Sequence, residues 1–170
     1  TTLLKLSSAY SSFLNGGKLV TPILIDRIQD SEGNTILNTE NRKCNKCDEI
    51  SHLSNEYPKI VDNFEQIFSS ETAYQMTSLL EGAVQRGTGR GLRDLKLDLA
   101  GKTGTTNKNT DTWFIGFTSK LVIGVYVGFD EPQTLGKRET GAKTAMPIFK
   151  EFVKIAVKKK DARPFKVADK

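Results

Sequence analysis

Apolar residues recur every three or four positions in three segments of the chain, which predicts three helices. The first segment carries Leu3, Leu6, Tyr10, Phe13 and Leu14. The second carries Ala73, Met76, Leu79, Leu80, Ala83 and Val84. The third follows Gly141 and carries, on one predicted face, Met146, Phe149, Phe152, Val153 and Ala156. Ser69 or Ser70 can cap the second helix, and Gly16-Gly17 and Gly87 can end the first two, because glycine accepts the left-handed conformation.

Strand patterns lie between these helices. Residues 20–29 and 35–38 are rich in Ile, Leu and Val and flank a turn-forming stretch at 30–34, which predicts a hairpin. Three further strands are predicted at 97–106, 111–118 and 121–129. Because only two residues separate the last pair, they should form a tight antiparallel hairpin. This order of elements is typical of an α+β fold in which an antiparallel sheet carries packed helices.

Composition agrees with a folded protein of one ordinary domain. Of 170 residues, 37% are apolar and 26% are charged, against about 45–50% and about 25% in typical soluble domains. The longest apolar runs are only a few residues, so we expect no membrane span. The net charge of +5 is mild and partly concentrated in a basic tail at 158–170, which we interpret as a solvated segment. No nucleic-acid partner is implied.

A polar stretch at 39–60 is predicted to be a surface insertion. It contains Cys44, Cys47 and the single histidine, His52. The Cys-x-x-Cys spacing fits half of a zinc site, but a structural zinc needs four ligands. Free thiols, a local disulfide, and a metal or redox role all stay open as alternatives for the cysteine pair. We assign no metal ligand to any residue and predict no cofactor. A catalytic role for His52 is disfavoured, since it would lie in an insertion away from the core.

Two glycine-rich stretches suggest phosphate binding and fail on closer inspection. Gly101-Lys102-Thr103 resembles the end of a P-loop, but that motif requires glycine where this chain has Lys96. The stretch 87–91 has three alternating glycines, but it follows a helix and leads toward a strand, the reverse of a dinucleotide-binding loop. We therefore expect neither kind of nucleotide site.

The remaining cluster of chemical groups lies on the predicted strand at 97–106. Lys102 offers a cation, Thr103 and Thr105 offer hydroxyls on one face, and Gly104 lets another group approach the backbone. These features, together with the next hydroxyl at Thr106, suit a bound carboxylate. A solvated strand end is the alternative interpretation.

Here the sequence resembles a known family. The stretch 100–107, with the strands 111–117 and 122–130, is similar to the Lys-Thr-Gly motif and following hairpin of penicillin-binding proteins. Residues 9–17, 81–89 and 144–150 are similar to stretches of class A penicillin-binding proteins, in the same order. The resemblance implies a peptidoglycan D,D-transpeptidase of the serine β-lactamase fold, which acts through a serine acyl-enzyme.

The resemblance also implies roles for individual residues. Lys102 and Thr105 would be catalytic, through positive potential at Lys102 and an oxyanion-binding N–H at Thr105. Thr103, Gly104, Thr105 and Thr106 would bind substrate. The implied partners are the D-Ala-D-Ala stem peptide and β-lactams. The implied location is the periplasmic face of the inner membrane, with an anchor and a glycosyltransferase domain upstream.

The family's nucleophile is missing from this sequence. None of the eleven serines has Lys three residues later or Asn two residues later, so neither Ser-x-x-Lys nor Ser-x-Asn is present. We therefore expect residues 1–157 to be the C-terminal part of a transpeptidase domain that is inactive alone. Apolar residues of 70–86 or of the sheet would then be uncovered, which favours self-association or pairing with the missing N-terminal part. The alternative is a non-enzymatic module that binds wall polymer, metal or a partner.

Overall fold

A computed structural model describes residues 1–39, 42, 44–45, 59–158 and 163–167. The chain divides into two compact units, Thr21–Glu65 and a larger one formed by Thr1–Val20 with Gln66–Lys170. The residue range of the smaller unit extends beyond the predicted insertion at 39–60 on both sides. Cys47 and His52 lie outside the described residues, so the alternatives for the cysteine pair remain predictions.

The described residues form three α-helices, one 3₁₀-helix and seven strands. In chain order they are α1 (Leu3–Leu14), β1 (Arg27–Gln29), β2 (Thr35–Asn38), β3 (Cys44–Asn45), β4 (Lys59–Ile60), α2 (Ser70–Gln85), the 3₁₀-helix (Arg90–Leu95), β5 (Ala100–Thr105), β6 (Asp111–Phe117), β7 (Val122–Gly128) and α3 (Ala145–Ala156). The α+β prediction with antiparallel sheets is confirmed.

The smaller unit contains two short antiparallel pairs, β1 with β2 and β3 with β4. The turn between β1 and β2 is held by Asp30, whose carboxylate accepts hydrogen bonds from the side-chain and backbone amides of Asn34. These bonds hold the pKa of Asp30 below its ordinary value. The first strand covers only 27–29 of the predicted 20–29. Pro22 lies in the excluded part and has no N–H for a strand ladder.

The larger unit is built on an antiparallel sheet with the strand order β5-β6-β7. On one side, which we call the α3 face, Phe114 of β6 packs against Phe149 of α3 with ring centroids 4.8 Å apart. On the other side, the α1 face, Ala100 and Phe117 form a cluster with Leu80 of α2, against which partly buried residues of α1 pack. Helices therefore cover both faces of the sheet.

Several boundaries differ from the sequence-based expectation. β5 begins at Ala100 rather than 97, because a 3₁₀-helix runs to Leu95 and is capped by Lys96, whose backbone is left-handed (φ 54°). Ser69, not Ser70, caps α2 by accepting a hydrogen bond from the Thr72 N–H. Of the predicted apolar face of α3, Met146, Phe149 and Val153 are buried, whereas Phe152 (50% exposed) and Ala156 lie on the outer side. The basic tail contributes Phe165, which packs edge-on against Phe117.

Candidate active site

The Lys-Thr-Gly motif lies on β5, at one end of the strand order. The register pairs Lys102 with Ile115, Thr103 with Phe114, and Thr105 with Thr112. Side chains alternate between faces along a strand. Thr103 and Thr105 therefore belong to the α3 face with Phe114, whereas Lys102 belongs to the α1 face.

The ladder also decides which backbone groups of β5 are free. The Thr106 N–H donates to the Asp111 carbonyl at 3.1 Å, so the residue after β5 is still bonded to β6. In an antiparallel pair, hydrogen-bonded and non-bonded residues alternate. The N–H and C=O groups of Thr103 and Thr105 consequently point away from β6, toward the outer edge of the described sheet.

Lys102 is exposed, and its ammonium group turns toward this edge. Its Nζ donates to the carbonyl oxygen of Thr103 at 3.1 Å. Because the carbonyl of Thr103 points away from β6, the contact brings the positive charge to the same edge as the free backbone groups. A cation, two hydroxyls and two outward-pointing amides thus lie within four consecutive residues of β5.

The two threonine hydroxyls each have a neighbour that restrains them. The Thr105 hydroxyl accepts a hydrogen bond of 3.0 Å from the backbone N–H of Gly141, in the loop before α3. The Thr103 hydroxyl lies 2.9 Å from the hydroxyl of Thr88, in the loop after α2. Neither neighbour was assigned a role from the sequence, since each lies far from β5 along the chain.

Thr106 is engaged differently. Its hydroxyl accepts hydrogen bonds from the backbone N–H groups of Thr110 (3.1 Å) and Asp111 (2.9 Å). These bonds close the connection between β5 and β6. The side chain therefore organises the loop, and a substrate-binding role for Thr106 stays a prediction.

Glycines let the loop before α3 lie directly on the strand pair. A Cβ at Gly141 would come 2.7 Å from the carbonyl oxygen of Gly104 and would also strike the carbonyl oxygen of Trp113. On the opposite face, a Cβ at Gly104 would be 3.2 Å from the Cβ of Trp113. Only glycine permits this approach at position 141, which is why the loop can donate to Thr105.

Aromatic side chains support the end of the sheet near the motif. The ring of Trp113 packs against that of Tyr126 with centroids 4.7 Å apart, so Trp113 packs on the sheet. The Tyr126 hydroxyl donates to Asp111 Oδ1 at 2.8 Å. This hydrogen bond to a carboxylate raises the pKa of Tyr126 above its ordinary value.

A cavity lies away from the motif. It has a volume of about 370 Å³ and lies between the end of α1, the start of α2 and residues 165–167. None of the residues that line it belongs to β5.

Among the described residues, no helix has both the length and the hydropathy needed to cross a membrane.

A family model described as "Penicillin binding protein transpeptidase domain" matches residues 1–154 of this chain. The chain belongs to the penicillin-binding protein transpeptidase family. The resemblance drawn from the Lys-Thr-Gly stretch is thereby confirmed. The transpeptidase match includes α1, β5 and most of α3.

Curated relatives agree with this family. Over 173 residues the chain is 43% identical to "Penicillin-binding protein 1A" of Rickettsia prowazekii, with 99% of this chain and 22% of that protein aligned. Over 172 residues it is 35% identical to the protein of the same name from Neisseria gonorrhoeae, with 99% and 19% aligned. The chain therefore spans about a fifth of the length of these relatives.

Solved structures agree in fold. The crystal structure of penicillin-binding protein 1A from Haemophilus influenzae superposes with a TM-score of 0.79 and 32% identity, covering 98% of this chain and 28% of that one. Penicillin-binding protein PonA1 from Mycobacterium tuberculosis gives a TM-score of 0.70 at 23% identity, covering 98% and 41%. The second comparison supports the fold alone.

Proposed function

We propose that β5 forms the carboxylate-binding and oxyanion half of a peptidoglycan D,D-transpeptidase site. The observation that carries this proposal is the outer edge of β5, where the Lys102 ammonium and the outward backbone groups of Thr103 and Thr105 lie, with the hydroxyls of both threonines on the adjoining α3 face. An extended peptide can lie along such an edge and pair with its backbone groups. The edge position of β5 therefore favours an extended peptide, and the Lys102 ammonium favours one that ends in a carboxylate.

Each residue of the motif has a role that fits its position. Lys102 supplies positive potential near the substrate carboxylate and the catalytic hydroxyls. Thr103 and Thr105 donate their hydroxyl protons to that carboxylate, and the Thr105 N–H is one of two oxyanion donors. Loss of one such donor in other enzymes costs about 2.7–4 kcal/mol of transition-state stabilisation. Gly104 leaves room for the acyl group.

The nucleophile belongs to polypeptide outside this sequence. The reaction requires a serine that attacks the D-Ala-D-Ala carbonyl, releases the terminal D-Ala, and passes the acyl group to an amine of a neighbouring strand. No serine here stands in a Ser-x-x-Lys pattern. We therefore expect the chain alone to form no acyl-enzyme, and the protein that also contains that segment to react with β-lactams.

The wider assignments follow from the same proposal. Residues 1–157 are the transpeptidase portion, 39–60 an insertion, and 158–170 a basic tail. The parent protein is anchored to the inner membrane, acts on its periplasmic side, and carries a glycosyltransferase domain. On the same proposal, the rest of the domain, or a second copy of the chain, would contact α2 near Leu79, which is 69% exposed.

Labelling with a fluorescent penicillin tests this function. We expect no covalent band on the isolated chain and a strong band when the chain is joined to its Ser-x-x-Lys segment. Lys102→Ala should greatly reduce that band, whereas the exposed, remote Lys120→Ala should not. A stable band on the isolated chain would contradict the proposed division of the site. No band on the joined protein would favour the non-enzymatic alternative.

A further inference from the structure

Thr88 is held next to the motif by a tight loop. Gly87 and Gly89 both donate their backbone N–H groups to the carbonyl oxygen of Ala83 in the last turn of α2, at 3.1 and 3.0 Å. A Cβ at Gly87 would lie 2.8 Å from that same oxygen. The loop therefore folds directly onto the helix end, and Thr88 between the two glycines has little freedom. Its hydroxyl lies 2.9 Å from the hydroxyl of Thr103.

The chemistry of the proposed ligand decides the direction of this hydrogen bond. A threonine hydroxyl has one proton to donate, and an ionised carboxylate can only accept. When a carboxylate binds at Thr103, the Thr103 proton must point to it. The oxygen of Thr103 can then only accept from Thr88, so the Thr88 proton must point to Thr103.

The neighbouring hydroxyl is arranged in the same way. Thr105 accepts from the Gly141 N–H, which can only donate, so its own proton remains for a ligand. Both hydroxyls on this face of β5 thus have a neighbour able to donate to their oxygen. A donor of this kind polarises the hydroxyl and strengthens the hydrogen bond that it makes to an anion.

We propose that Thr88 is a positioning residue that orients the Thr103 hydroxyl toward the carboxylate of the stem peptide or β-lactam. This inference rests on the proposed function of β5. It extends the site to the loop after α2, which no sequence motif had assigned to it. Thr88 acts through Thr103, so its effect should depend on the ligand's carboxylate.

The test compares benzylpenicillin with its methyl ester, which lacks the negative charge. Second-order acylation constants are measured on the full-length protein that carries this chain. Thr88→Val should lower the constant for the acid about 3- to 10-fold, the usual effect of losing one neutral hydrogen bond, and change that for the ester less than about twofold. Thr88→Ser, which keeps the hydroxyl, should stay close to the unchanged protein.

Two further variants distinguish an error in the proposed carboxylate site from an error in the role of Thr88. Thr103→Val should reduce the preference for acid over ester more than Thr88→Val does, and Thr72→Val, an exposed threonine of α2, should not alter it. If Thr103→Val leaves the preference unchanged, the proposed carboxylate site is wrong. If Thr103→Val lowers it but Thr88→Val matches Thr72→Val, only the role of Thr88 is wrong.

A structural role for Thr88 gives a different result. Equal losses for acid and ester in Thr88→Val, or a Thr88→Ser protein as impaired as Thr88→Val, would overturn the proposal. Thermal melting of each variant identifies a folding defect. Should Thr88→Val fold poorly, Thr88→Ala provides the same comparison without a β-branched side chain.

Discussion

The backbone N–H of Gly141 donates a 3.0 Å hydrogen bond to the hydroxyl of Thr105. The donor belongs to the loop before α3, and the acceptor to the strand that carries the Lys-Thr-Gly motif. The donor is a backbone N–H, and glycine has no side chain. Every substitution at position 141 therefore adds atoms beside this hydrogen bond. The position of the loop and the orientation of the Thr105 hydroxyl are therefore coupled.

Gly141→Ala should uncouple them. The new Cβ would meet the carbonyl oxygens of Gly104 and Trp113, so the loop must move off the sheet at a cost of about 1–3 kcal/mol. We expect β-lactam acylation of the full-length protein to fall about 3- to 10-fold with loss of the hydrogen bond. Chemical unfolding and acylation kinetics measure the two effects.

Gly82→Ala is the matched control for that substitution. A Cβ at Gly82 would meet only the end of the flexible Arg86 side chain, and alanine is the better helix former. The free energy of unfolding should rise by about 0.5–1 kcal/mol, with acylation unchanged. Equal behaviour of the two alanine variants would show that contact with the sheet is not what matters at Gly141.

Thr106→Val should separate a loop role from a substrate role. It removes the acceptor of the Thr110 and Asp111 N–H groups, and unfolding free energy should fall by about 1 kcal/mol. The preference for benzylpenicillin over its methyl ester should stay as it is. A reduced preference would instead support the predicted contact between Thr106 and substrate, and Thr106→Ser should restore both properties.

Phe149→Ala should remove the centre of the α3 face. Phe149 is fully buried against Phe114, and such truncations cost about 3–5 kcal/mol. Phe152→Ala on the same helix, at a half-exposed position, should cost about 0.5 kcal/mol. Urea unfolding of both variants measures the difference. Similar losses would contradict the assignment of Phe152 to the outer side of α3.

Asp94 should make stability depend on acid pH. Its carboxylate accepts a 2.7 Å hydrogen bond from Lys150 Nζ, and this bond holds the pKa of Asp94 below its ordinary value. A lowered pKa in the folded state contributes stability above the unfolded pKa, and that contribution is lost as the pH falls through the folded value. The loss should therefore develop below about pH 4.

Asp94→Asn tests this dependence. The variant should lose less unfolding free energy than the unchanged chain between neutral pH and the acid range. Lys150→Met should reduce the pH dependence similarly, and the double variant should add little, because both single changes remove one interaction. A pH profile of Asp94→Asn that parallels the original would count against the ion pair as its source.

Much of the local structure could be predicted from neighbouring residues. α1 ends at Leu14 before the two glycines, α2 begins after Ser69, and the turn between β6 and β7 falls at Ser119-Lys120. Helical period, caps and short turns depend on residues a few positions apart, so they can be read along the chain. The sequence does not predict the 3₁₀-helix before β5, because its six residues are too few to show such a period.

The sequence by itself determined the family and the residue types of the site, since Lys102, Thr103, Gly104 and Thr105 are consecutive. Only the tertiary structure decided how they are used. Thr88 and Thr103 are 15 residues apart, and Gly141 and Thr105 are 36 apart. Each pair meets because α2 and the loop before α3 pack onto β5. The direction of a hydroxyl proton depends on such distant partners, and no local pattern of apolar and polar residues records them.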